Sequence, residues 1–149
     1  MSSSSAAFKI FLEQKQQSGN DKFDWTKRKN QWISSIEDLY KLVTTWLEPF
    51  KRDKLLSMKI TMIDLTEDYL GNYKVPRFDI YIGNNIVSLI PRGTLIVGAY
   101  GKIDMQGPKG DIILVQPEWN QWKFFQRKTK LVTWAVTSES FMKIIQDIV

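Results

Sequence analysis

Between Trp25 and Phe50 the residues Trp25, Trp32, Ile36, Leu39, Val43, Trp46 and Phe50 fall at spacings of three and four, with Lys29 alone breaking the series. That period puts them on one side of an α-helix, so a long amphipathic helix is predicted from Asp24 to Glu48. Asp24 supplies a side-chain acceptor for the first turn, and Glu48-Pro49 ends the helix because proline disfavours helical geometry in the residue before it. Ile33, Tyr40 and Leu47 sit where a coiled coil would place charges. They widen the stripe to about three-sevenths of the circumference, as a helix lying on a sheet or bundle requires. The stripe is therefore read as core rather than as a dimer zipper.

The rest of the chain is arranged around that helix. Ala6 to Gln17 carries Phe8, Phe11 and Leu12 at helical spacing, and Gly19-Asn20 stops it, which predicts a short helix packed on the remainder. From Leu56 the period changes to two: Leu56, Met58, Ile60 and Met62 alternate with polar residues, the mark of a half-buried strand. Further strands are predicted at 78–82, 86–90, 94–99, 102–106, 111–116, 122–128 and 131–136, separated by tight turns such as Gly83-Asn84-Asn85, Pro91-Arg92-Gly93 and Gly107-Pro108-Lys109-Gly110. Ser138 is read as the cap of a last helix with Phe141, Ile144, Ile145 and Ile148 on one face. Connections this short allow antiparallel pairing but no βαβ crossover. The expected fold is α+β: an antiparallel, strongly curled sheet of about 6–7 short strands with a long N-terminal helix and a C-terminal helix packed on one face. One domain is expected over residues 1–149. Residues 1–5 are read as disordered, 6–50 as helical, 55–136 as the sheet and 138–149 as a helix.

Composition excludes several chemistries. The chain has no cysteine and no histidine, which removes thiolate catalysis, disulfides, the commonest general base and the usual zinc ligands. No cofactor is expected, and tag-free purified protein should carry no stoichiometric zinc by elemental analysis, because only hard oxygen donors remain. Asp64, Glu67 and Asp68 are the one tight acidic cluster, but they fall where a strand runs into a loop and acids are ordinarily solvated. No Ser-x-x-Lys and no Gly-x-Ser-x-Gly occurs, so the recognisable serine-nucleophile contexts are missing. No stretch reaches the ~20 apolar residues of a spanning helix, and the N-terminus lacks the basic and apolar layout of a secretory signal. A cytoplasmic protein without a membrane partner is expected.

Two Gly-x-x-Gly segments, Gly98 to Gly101 and Gly107 to Gly110, share the form of a KH-type loop. They lie between strands rather than helices and read as turns or bulges. Arg92-Gly93 opens like an RRM signature, but Leu95 and Val97 stand where base-stacking aromatics belong.

The net charge of +5 is uneven: residues 119–138 hold four basic side chains and no acidic one. There Trp119, Lys123, Phe125, Arg127, Lys128 and Lys130 interleave aromatic and basic groups around Trp122 and Phe124. On a strand Lys123, Phe125 and Arg127 share one face, an aromatic between two cations of the kind single-strand binders use. The competing interpretation is an edge strand protected by its charges. A non-catalytic binding or accessory protein acting through a protein partner is the first functional expectation. A sequence-tolerant single-stranded nucleic-acid binder, using residues 119–130 with Lys27, Arg28 and Lys29, is the second.

Overall fold

The stripe of three-and-four spacing forms helix α2 (Trp25–Arg52), capped by Asp24, whose carboxylate accepts from the Lys27 amide at 2.9 Å. The computed structural model describes residues 3–20, 24–96, 98–127 and 130–149. Before α2 lies α1 (Ser3–Asn20). After it come β1 (Ser57–Glu67), β2 (Gly71–Ile82), β3 (Asn85–Gly93), β4 (Lys102–Gly107), β5 (Gly110–Glu118), β6 (Gln121–Arg127), β7 (Leu131–Ala135) and α3 (Ser138–Ile148). The strands form one antiparallel sheet in the order β1-β2-β3-β4-β5-β6-β7, each paired with its sequence neighbours. It is an open meander, because β1 and β7 have one strand partner each. The fold is α+β, as the alternation of periods and the short turns required.

Alternate residues of the strands point at α2 and α3. Phe78, Ile80, Val87, Leu89, Ile103, Met105, Ile112, Leu114 and Phe124 are buried against Trp32, Ile36, Leu39, Tyr40, Val43 and Leu47 of α2 and Phe141, Ile144 and Ile148 of α3. The two helices thus share one core, and the stripe that pointed to it is its floor.

Several local expectations change. α2 runs through Pro49 to Arg52 instead of stopping at Glu48. In the last turn a missing amide costs only one helix bond, and buried Leu47 keeps the segment on the sheet. Thr137, not Ser138, caps α3: its hydroxyl accepts from the Ser140 amide and the Ser140 hydroxyl accepts from the Thr137 amide. α1 begins at Ser3, inside the segment read as disordered, and seats Ala6 and Ile10, while Phe8, Phe11 and Leu12 are exposed. The small Ala6 lets the helix approach closely on that side, and the larger residues face away. Met1 and Ser2 lie outside the described residues.

The expected strand at 94–99 is a loop, of which Val97 lies outside the described residues. Side chains hold this loop in place of a ladder. Glu67 Oε1 accepts from the amides of Thr94 and Leu95, both at 3.0 Å, and the Thr94 hydroxyl donates to the Tyr100 carbonyl at 2.7 Å. The loop returns to β4 at Gly101, where any side chain would collide with the Trp32 ring. The second Gly-x-x-Gly is the β4–β5 turn, with Gly107 facing Gly110. The Lys109 amide there donates to the Ile148 carbonyl at 2.8 Å, and Gly107 leaves room for the end of α3. One glycine of each pair, Gly101 and Gly107, serves close packing.

Candidate functional site

The residues singled out between 119 and 130 separate into two places. β6 alternates as its pattern required: Trp122 and Phe124 are buried, while Lys123 and Phe125 lie on the opposite face beside Val115 and Ile113 of β5. Phe125 is half-buried, with Thr133 of β7 on its other side, and Lys123 is exposed. Arg127 ends β6 opposite Leu131, Lys130 is exposed, and Lys128 lies outside the described residues. β6 is not an edge strand, since β5 and β7 flank it. The edge is β7, and it carries the exposed Leu131 and Val132.

Trp119 belongs to a different cluster, in the β5–β6 connection. Its ring lies 4.7 Å from that of Tyr100, and the Arg28 guanidinium sits 4.8 Å from the Tyr100 centroid and 5.4 Å from the Trp119 centroid. Arg28 is only 3% exposed. Its Nε donates to the Thr94 hydroxyl at 3.0 Å, one terminal nitrogen to the Thr94 carbonyl at 2.8 Å, and the other to Glu13 at 3.4 Å. Burial pulls its pKa below the usual arginine value, and Glu13 is the main group opposing that shift. Arg28 is therefore a clasp joining α1, α2 and the 94–101 loop, and it is not available to a phosphate. Lys27 is exposed and Lys29 half-buried, so Lys27, Arg28 and Lys29 do not form one basic patch.

The acidic cluster also disperses. Asp64 pairs with Lys74 at 2.9 Å on the exposed surface, Glu67 accepts from the loop amides and the Tyr73 hydroxyl, and Asp68 is exposed. Among the described residues no group of three His, Cys, Asp or Glu side chains is arranged to hold a metal ion. No helix among them is long and apolar enough to cross a membrane.

Two buried tyrosines make the polar interior sensitive to alkali. Burial pushes the Tyr40 hydroxyl well above the usual tyrosine value of 10.0, helped by the nearby Asp79 charge, and the hydroxyl donates to the Pro76 carbonyl at 2.9 Å. Burial and the hydrogen bond to Glu67 do the same for Tyr73. A group raised in the folded state gives stability that is complete below its unfolded value and lost as pH rises towards the folded one. Above about pH 10, the unfolded tyrosine value, the tyrosinate absorbance of Tyr40 and Tyr73 should therefore appear together with loss of the far-UV circular dichroism signal. Their ionisation well before unfolding would show that both hydroxyls reach solvent.

A largely apolar concavity lies between α2 and the edge strand β1. Ile33, Tyr40, Ile60, Met62 and Pro76 line it, with Glu37, Lys41, Thr44 and Thr45 along the helix lip, and it holds about 510 Å³. Ile60 and Met62 are 54% and 52% exposed although they lie on the helix-bearing side, opposite Phe78 and Pro76 of β2. Among the described residues no strand lies along the outer edge of β1. The sequence pattern marks Ile60 and Met62 as core. The available signal against that was position, because the first strand of a meander has only one neighbour.

No protein-family model matches the chain, and none of the curated proteins or solved structures compared with it does so either.

Proposed function

We propose that the chain is a small non-catalytic cytoplasmic binding protein that acts through a protein partner docking between α2 and the free edge of β1. One observation carries this reading: two large apolar side chains, Ile60 and Met62, stand about half exposed on the helix side of an edge strand that, among the described residues, has no strand on its outer side. Edge strands are usually blunted by charge, bulges or cover, and an uncovered apolar one is a site for strand addition. The lack of histidine and cysteine favours binding over catalysis, and the best-developed polar cluster, around Arg28, is engaged within the fold.

The test is selection of displayed short peptides on the wild-type protein and on the variant Ile60→Lys with Met62→Lys. Enriched peptides should carry apolar residues at alternate positions, as an added strand presents them, and should lose binding to the variant. Both side chains are half exposed, so the variant should melt close to wild type. Selected peptides that bind wild type and variant alike would remove the groove as the docking surface.

Lys123 and Phe125 share the outer face of β6, which keeps single-strand nucleic-acid binding as the second reading. Binding there would cost roughly 1–3 kcal/mol of affinity in Phe125→Ala through lost base stacking. Lys123→Ala would lower the salt slope by about one. The protein-partner reading expects no oligonucleotide binding at physiological salt. It also expects a lower melting temperature for Phe125→Ala, because the side chain is half-buried on a strand flanked at that position by Ile113 and Thr133.

A further inference from the structure

We infer that the occupant of the β1 edge is a second copy of this chain, paired antiparallel about a two-fold axis through Thr61, which rests on the groove being a docking surface. A two-fold interface presents one patch to itself, so the patch must be self-complementary. β1 meets that condition at one register. With Thr61 opposite Thr61 of the second copy, Ile60 of each copy lies opposite Met62 of the other, on the side of the sheet that carries α2. The two half-exposed apolar residues then cover each other as cross-strand pairs. Moving the axis to Met62 would set Ile60 against the charged Asp64. Moving it to Ile60 would set Met62 against Met58, which is already half-buried on the core of its own copy.

Charge agrees with the same axis. Glu37 and Lys41 lie on the lip of the groove, one helical turn apart. The two-fold sets the two α2 helices on one face of a joined sheet and in opposite directions, so the lips that meet carry both an acid and a base rather than one sign of charge. In the same register Lys59 meets Ile63, and no like charges are placed opposite each other between residues 58 and 64. β1 suits this pairing better than β7, since it has eleven residues against five.

The chain has no cysteine, so a single introduced thiol reports the register directly. Thr61→Cys places the two thiols opposite each other at the axis. Ser57→Cys places them eight residues apart along the seam, on the order of 26 Å, beyond any disulfide or short bismaleimide. Both positions are exposed, so neither change disturbs the core. At micromolar concentration Thr61→Cys should be trapped as a covalent dimer by oxidation or by the bismaleimide, and Ser57→Cys should stay monomeric. Sedimentation velocity should show a wild-type dimer, and Ile60→Lys with Met62→Lys should lose it while keeping the wild-type far-UV circular dichroism spectrum. A wild-type monomer at every concentration, with Thr61→Cys untrapped, overturns the second copy as occupant. Equal trapping at both positions overturns the two-fold about Thr61. The docking surface itself falls only if peptide selection is also indifferent to Ile60 and Met62, so the two failures are separable.

Discussion

Gly101→Ala should lower the unfolding free energy by about 1–3 kcal/mol or more, the cost of forcing added volume into a packed core. A Cβ at residue 101 would collide with Cζ3, Cε3 and Cη2 of Trp32. The indole cannot swing aside: it is fully buried, with the Trp122 ring 6.3 Å away. The colliding atoms all belong to the six-membered ring of the indole, and the smaller ring of a phenylalanine would set fewer atoms against that Cβ. Gly101→Ala should therefore be less harmful in a Trp32→Phe background than in the wild type, a coupling that a double-mutant cycle by urea unfolding measures. Additive effects would mean that the 94–101 loop does not bring Gly101 onto Trp32.

Ile36→Ala and Leu39→Ala should each cost ~2–5 kcal/mol, the range for deleting a buried side chain of this size. Both residues are almost fully buried between α2 and the sheet, at 0% and 2% exposure. Leu42, on the same helix but 51% exposed, is the internal control. Leu42→Ala should stay within about 0.5 kcal/mol of wild type, as surface substitutions do. Thermal or urea melts of the three variants decide the matter. Near-wild-type melting of Ile36→Ala and Leu39→Ala would return the stripe to the surface and revive a zipper through α2.

Much of the architecture was legible because α2, β2 to β6 and α3 bury a whole face, and burial imposes the 3.6 or 2 period that a sequence displays. Where burial is partial the pattern misled. Phe8, Phe11 and Leu12 have the spacing of a packed face, yet α1 docks through Ala6 and Ile10 and is clasped by Arg28 through Glu13. Residues 94–99 have the composition of a strand, but the amides of Thr94 and Leu95 bond to Glu67, twenty-seven and twenty-eight residues earlier in the chain. No local pattern records a bond of that kind. The candidate site was less legible still. Strand parity placed Lys123 and Phe125 together, but it could not show that Trp119 and Arg28 gather on Tyr100 away from that strand.

Local period and composition were enough for the class of fold, the helix that floors the core, the alternation of β6 and the chemistry open to a chain without histidine or cysteine. Which apolar residues lack cover was a matter of packing across the whole chain. Ile60 and Met62 of β1 alternate with polar neighbours just as Phe78 and Ile80 of β2 do, but β2 is paired on both sides and β1 on one. Period specifies which face of a strand is apolar, whereas the number of neighbours specifies whether that face is sealed, and the second depends on where the chain places its first strand.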